Sequence, residues 1–448
     1  MFIKSYNKKS FQFIISCLQV LKNIKNYLIV LGLSSIIFTI LFVLRPTEPN
    51  YFYCSEMKVY QFEILNITNE FIYPESCDQL DYHKGFESLE NLIGSDYIYQ
   101  ARPLYIIPVN LIANILGIFN LSQTTNLLIA TFLFQNLISY ISIIILYELI
   151  FKNKKYDITK FFQISIIVLL SPLFKWGLFD PSHQLLTMLV ILFFSYFKIN
   201  NFRLNFINCF FIGMLFLAHR SFLIGFIWLL FFSNIDKIFK NIYLKFKLLF
   251  ASFVPYFLYY LYFRFVLQQN LFDNNASYWG QFIWIRDFIM GVERYQSQWH
   301  CVSIPANFRC YFVDNAKVIF YLSVPLLIFL IFQILYKNNL SFTKNTPVNY
   351  LVMISLFLYT FWSLIGWYPP IRFSYYSIGN LIIILFSFQF FQLKEKNIKT
   401  VALSSYIIYC LSLNHWNDYL VLNFNLGMLM SFILLIPTLF LTLNKQNV

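Results

Sequence analysis

The sequence predicts an all-α integral membrane protein with about twelve transmembrane helices (eleven to thirteen) and an interfacial helix in its first external loop. Three observations predict this class. Apolar residues make up 59% of the 448 residues and charged residues 12%, against about 25% charged in soluble domains. The apolar residues gather in runs that repeatedly approach the roughly 20 residues needed to cross about 30 Å of hydrocarbon. The 33 Lys and Arg fall in short clusters between those runs, as cytoplasmic loops require. The net charge of +13 therefore reports topology and argues against a nucleic-acid-binding patch.

The first span is the run from Tyr27 to Val43, preceded by Lys4, Lys8, Lys9, Lys22 and Lys25. A signal peptide has the same basic start and apolar core. Here LRPTEPN follows with no small-residue cleavage site, so the run is read as a retained span with a cytoplasmic N-terminus. Residues 46–123 form the first external loop. Further spans are expected near 124–150, 160–178, 182–199, 204–218, 221–235, 248–268, 315–336, 348–367, 372–391, 400–413 and 421–441. The stretch 204–235 also reads as a hairpin of two half-length helices. A second external loop covers 269–314, and residues 1–448 are read as one polytopic domain.

The segment Pro103–Phe119 decides the topology. It is apolar, but it has 17 residues and contains Pro108 and Asn110. If it crosses the bilayer, the Lys152, Lys154, Lys155 cluster falls outside, as do Lys237, Lys240, Lys245 and Lys247. If it lies along the membrane surface, all of these fall inside. In that second arrangement 21 of the 33 Lys and Arg are cytoplasmic, and 16 of the 20 acids are external or at external span ends. Charge asymmetry therefore favours an interfacial helix, with both termini cytoplasmic.

Cysteine placement agrees with this map. Cys54 and Cys77 fall in the first external loop, and Cys301 and Cys310 in the second. Two even pairs on the outer side suit disulfides in an oxidising compartment, the alternative being unpaired loop thiols. Cys17, Cys209 and Cys410 lie inside or within spans. No pair has zinc-site spacing, and His300 beside Cys301 does not create one.

Chemistry is expected where charge concentrates. Ten of the 20 acidic residues lie between Glu48 and Asp96, just after the first span. There Asp78 and Asp81 precede Tyr82, followed by Leu89, Leu92, Gly94 and Tyr97. The run Arg102-Pro103-Leu104-Tyr105 then opens the interfacial helix. This order resembles the first external loop of GT-C glycosyltransferases, which take sugars from polyprenyl-phosphate donors. Bacterial protein-mannosyltransferase-like and aminoarabinose-transferase-like members are the nearest comparison. Leu116-Gly117-Ile118-Phe119 loosely resembles the Leu-Phe-Gly closing that family's interfacial helix. Asp180-Pro-Ser-His183 precedes a span, as an external Asp does in the family. Gly213-Met-Leu-Phe-Leu-Ala-His219-Arg220 is similar to its Gly-Leu-x-x-Leu-Thr-Lys hairpin, with Arg in place of Lys. Tyr368-Pro-Pro-Ile-Arg372-Phe-Ser-Tyr375 resembles a late family segment. The resemblance covers roughly residues 25–235 in order, with one later echo.

The departures are specific. Gln79 follows Asp78 where the family often has Asp-Glu. About thirty residues, most of them between Cys54 and Cys77, separate the acidic site from the first span; they read as a disulfide-pinned insertion. No large soluble C-terminal domain is expected, because apolar runs continue to Leu443.

Sugar transfer from a lipid phosphate to a hydroxyl needs a carboxylate to accept the hydroxyl proton. It also needs cations to stabilise the phosphate leaving group. Asp78, with Asp81 as second candidate, fits the base. Arg102, Arg220 and Arg372 fit the phosphate role through their planar fork of donors, and the map puts all three at the external edge. Tyr105, Asp180, His183 and Tyr375 complete the expected binding set. Each has a plainer role to set against this: an Arg at a span end snorkels, and an acidic residue at a helix start favours the helix. No cofactor or metal-ligand set is read, and a divalent cation is compatible with the family. The expected partners are a polyprenyl-phosphate-linked sugar, a glycan, lipid or protein acceptor, and the bilayer, with a bacterial inner membrane as location.

Two other function classes stay open. An O-antigen-type polymerase or ligase would use Arg286, Arg294 and Arg309 in the second loop. A lipid-linked glycan transporter or flippase would show repeated halves and buried charge; no repeat is visible, and charge gathers at edges apart from Glu148 and His219.

Overall fold

The computed structural model describes residues 24–43, 59–64, 67–72, 82, 84–94, 102–152, 155–178, 185–202, 204–234, 241–268, 319–320, 322–327, 329–330, 346–364, 370–393, 396–416 and 419–422. In chain order these form α1 (Ile24–Val43), β1 (Val59–Ile64), β2 (Ile67–Ile72), α2 (Leu89–Gly94), α3 (Pro103–Leu116), α4 (Gln123–Ile150), α5 (Ile158–Leu169) and α6 (Pro172–Gly177). They continue with α7 (Leu186–Ile199), α8 (Phe206–Phe216), α9 (Ser221–Ile227), α10 (Ile242–Leu261), α11 (Thr346–Leu364), α12 (Pro370–Gln392), α13 (Lys396–Ser412), β3 (Leu413–Trp416) and β4 (Tyr419–Leu422). Helices dominate, as expected. Two antiparallel hairpins accompany them, β1 with β2 and β3 with β4.

Among the described residues, two helices are long and apolar enough to cross a membrane, Thr125–Ile150 and Ile242–Val266. Several other expected spans are shorter, and each interruption has a local cause. The run 160–178 breaks at Ser171, whose hydroxyl accepts from Phe174 N, and Pro172 then opens α6 at the position where a missing N–H costs nothing. The 14 residues of α7 end in a Schellman turn. Asn201 has φ 49° there, Phe202 N donates to Phe197 O, and Asn201 N to Lys198 O. The 11 residues of α8 stop at the polar turn leading to His219 and Arg220. At 1.5 Å per residue α8 spans about 17 Å, roughly half the hydrocarbon thickness. The hairpin of half-length helices is thus the form that 204–235 takes.

The chain divides into two compact units with interleaved segments. The first contains residues 1–35, 46–145 and 177–277, hence most of α1 and α4 together with α2, α3 and α7–α10. Its α4 satisfies its polar side chains internally. Thr131, Ser139 and Ser142 hydroxyls and the Asn136 amide each donate to the carbonyl four residues back. Without water, that is how a helix hides polar groups. The α7–α10 core is aromatic: Phe194 packs on Phe222 and Phe226, and Phe216 on Phe226 and Phe253, at centroid distances of 6.1–6.3 Å. Gly213 lets α8 touch the α10 backbone, for a Cβ there would sit 1.9 Å from Ser252 O.

The second unit contains residues 36–45, 146–176 and 278–448. Asp157 caps α5, accepting from Thr159 N at 3.0 Å and pairing with Lys160 at 2.8 Å. Tyr406 on α13 donates to Ile167 O of α5 at 2.8 Å and stacks on Phe386 of α12 at 4.5 Å. Gly379 of α12 admits the side chains of Leu173 and Leu322.

Candidate functional site

The site is built where the start of α3 meets the turn between α8 and α9, all within the first unit. A helix start leaves N–H groups without partners and a helix end leaves carbonyls without them. Here the two deficits cancel, because Leu104 N of α3 donates to Leu217 O just past α8, at 3.3 Å. Pro103 occupies the first helical position and Arg102 its cap, with Arg102 O accepting from Tyr105 N at 2.9 Å. The bond to Leu217 therefore fixes Arg102 beside the turn that carries His219 and Arg220.

One face of α3 is buried, through Tyr105, Ile106, Val109, Asn110 and Ala113. Tyr105 is fully buried, and its hydroxyl accepts from Gln135 Nε2 of α4 at 2.7 Å. Its ring meets Tyr82, Phe86 and Phe134 at 5.7–5.9 Å. Asn110 Nδ2 donates to Phe86 O at 2.7 Å, which ties the first-loop segment to α3. The Arg102 guanidinium lies over the Tyr82 ring, 5.6 Å from its centroid. The opposite face of α3 and the turn after it expose Leu111, Ile115, Ile118 and Phe119, between 52% and 76% accessible.

His219 is buried, and its Nδ1 accepts from Ser221 N at 3.2 Å. Burial first, then the positive charges of Arg102 and Arg220, hold its pKa well below the ordinary 6.5. The imidazole is accordingly neutral near pH 7, and its Nε2–H is a donor. Chemically this brings two guanidinium groups near a neutral imidazole, with the Arg102 group over the Tyr82 ring. Such a donor set suits a phosphate or other oxyanion.

That arrangement has a pH signature. Below pH 6.5 the unfolded chain takes a proton on this histidine and the folded one does not. Its contribution to stability is therefore complete above pH 6.5 and is lost as the pH falls toward the folded value, by at most about 1.4 kcal/mol per pH unit. Unfolding midpoints measured from pH 8 to 5 should fall more steeply for the native chain than for His219→Asn, whose side-chain oxygen also accepts from Ser221 N. Parallel curves would contradict the neutral, doubly flanked imidazole.

Of the residues singled out from sequence, Arg102, Tyr105 and Arg220 come together here. Arg372 and Tyr375 lie in the first two turns of α12, in the second unit. Asp78, Asp81, Asp180 and His183 lie outside the described residues, as do Cys54, Cys77, Cys301 and Cys310; Tyr82, next after Asp81, is inside the cluster. Cys209 and Cys410 are buried thiols. Sequence reasoning named His219 within a motif and as a charge away from the span edges, and missed Gln135. It also missed Lys175, fully buried in the second unit, with Nζ donating to Cys410 O. A lysine inside an apolar run was the available signal.

No protein family, no curated protein and no solved structure matches this chain.

Proposed function

We propose that the chain is an integral membrane glycosyltransferase of the GT-C type. It spans the bilayer about twelve times and moves a sugar from a polyprenyl phosphate to an acceptor on the extracytoplasmic face of a bacterial inner membrane. The acceptor hydroxyl attacks the anomeric carbon, the bond from that carbon to the phosphate oxygen breaks, and its electron pair stays with the phosphate. Asp78 takes the hydroxyl proton. Arg102 and Arg220 carry the negative charge of the departing phosphate.

The observation that carries this reading is the hydrogen bond from Leu104 to Leu217, because it holds Arg102 beside the turn that carries His219 and Arg220 and so supports a shared phosphate-binding role for the two arginines. The length of α3, about 21 Å for 14 residues, and its apolar exposed side favour the interfacial arrangement.

The test is transfer of radiolabelled sugar from a panel of polyprenyl-phosphate sugars by the purified chain in liposomes. Asp78→Ala should abolish transfer at unchanged protein abundance. Activity retained in that variant, with loss in Arg286→Ala, Arg294→Ala and Arg309→Ala, would select the polymerase or ligase instead.

A further inference from the structure

Tyr105 stands among the residues expected to bind substrate, yet it is fully buried and its hydroxyl accepts from Gln135 Nε2 at 2.7 Å. Gln135 is itself fully buried, on the long apolar helix α4. An amide withdrawn from water inside an apolar helix costs free energy unless it is hydrogen-bonded. The bond to Tyr105 offsets that cost, and it ties the Tyr105 ring to the longest helix of the first unit.

From Tyr105 the contact passes to Tyr82. The two rings meet edge to face, with centroids 5.7 Å apart and planes at 83°. Phe86 packs against both, 5.9 Å from Tyr105 and 6.4 Å from Tyr82. Its carbonyl accepts from Asn110 Nδ2 of α3. Tyr82 is 2% accessible, so these neighbours confine its ring.

The Arg102 guanidinium lies over that confined ring, 5.6 Å from its centroid. The backbone beside Arg102 is held separately, by the bond from Leu104 N to Leu217 O. A guanidinium held at both its backbone and its stacking ring has less rotamer freedom to lose when it takes up an oxyanion.

We infer that Tyr82, held by Tyr105 and Gln135, is a positioning residue that keeps the Arg102 guanidinium in one orientation for phosphate binding. Tyr105 and Gln135 then act through Tyr82, and Tyr105 is not itself a substrate contact. This assignment rests on the phosphate-binding role given to Arg102 above.

The experiment titrates the full chain in a nonionic detergent with decyl phosphate and reads the dissociation constant by calorimetry. Arg102→Ala should weaken binding about tenfold or more, as loss of a charged donor does. Tyr82→Leu removes the ring face and should weaken binding about fivefold to thirtyfold. Tyr82→Trp supplies another ring face and should bring affinity back to within about threefold of native. Placed on Arg102→Ala, Tyr82→Leu should cost less than about twofold more, because the two residues act as one unit. A ring that merely packs the core would cost the same in both backgrounds. Tyr82→Leu also leaves space in the aromatic cluster, so Tyr105→Phe serves as a second probe. It keeps every ring, removes only the oxygen that accepts from Gln135, and should weaken binding about threefold, again only where Arg102 is present.

Equal losses with and without Arg102 overturn the positioning role and leave the phosphate site standing. So does native affinity in both Tyr82→Leu and Tyr105→Phe. Native affinity in Arg102→Ala overturns the phosphate-binding role of Arg102 and the positioning role with it.

Discussion

Gly213→Ala should destabilise the protein by about 3 kcal/mol or more, and Gly213→Leu should leave no folded first unit. Helix propensity alone gives the opposite sign, since Ala in a helix interior is favoured over Gly by about 1 kcal/mol. Packing decides, because the added Cβ would lie 1.9 Å from Ser252 O and 2.7 Å from Ser252 C, both backbone atoms. No side-chain rotation relieves that overlap. Restoring an ordinary contact of about 3.5 Å requires α8 and α10 to part by roughly 1.5 Å, which loosens the Phe216–Phe253 contact between them. Gly225→Ala should cost less, because its Cβ would meet the Phe194 ring and a Val190 methyl, which can shift. Gly32→Ala meets nothing within 4 Å and should be neutral or slightly stabilising. Thermal unfolding of the three variants checks the order, and a Gly213→Ala midpoint equal to that of the native chain would refute the close backbone contact.

Arg102→Ala and Arg220→Ala should each lower sugar transfer by about a hundredfold to a thousandfold, the usual cost of removing a preorganised donor from a developing anion. Lysine at either position keeps the charge and loses the fork of donors, so partial activity should return. Because both cations flank the same imidazole, the double variant should lose less than the product of the single losses. Loss of phosphate binding with equal effect on ground and transition states would appear in KM, and loss specific to the leaving group in kcat. Near-native kcat/KM in both alanine variants would remove Arg102 and Arg220 from the chemistry and leave them as membrane-edge anchors.

Part of this arrangement was legible in the sequence. The long apolar run at 124–150 gave α4 almost to the residue, since nothing polar enough to break it intervenes. Arg102-Pro103 read correctly as a helix start, because Pro is favoured at the first helical position. The pairing of β1 with β2 had a signal that the reading of an insertion did not use: Gln61 and Glu63 alternate with the apolar Tyr60, Phe62 and Ile64, as in a strand with one buried face.

Other features had no local signal. Gly213 entered the reading as part of a family-like motif, whereas its structural role is contact with Ser252, a tertiary fact that no spacing encodes. The Leu104–Leu217 bond joins two backbone groups of residues whose side chains carry no information about it. Lys175 was passed over because apolar neighbours dominate any hydropathy window. Half-length helices were expected only for 204–235; the end of α7 at Ile199 matches the expected 182–199 run, but the left-handed turn at Asn201 that closes it is one of several conformations open to asparagine.

The measurement that tests the account most directly is labelling from outside with a membrane-impermeant thiol reagent. Single cysteines are introduced as Asp78→Cys and Lys154→Cys in a background with the seven native cysteines replaced, in intact spheroplasts. Labelling is expected at 78 and protection at 154, which is labelled only after the membrane is permeabilised. Labelling at both positions would mean that α3 crosses the bilayer, and the shared face of Asp78, Arg102 and Arg220 would be contradicted.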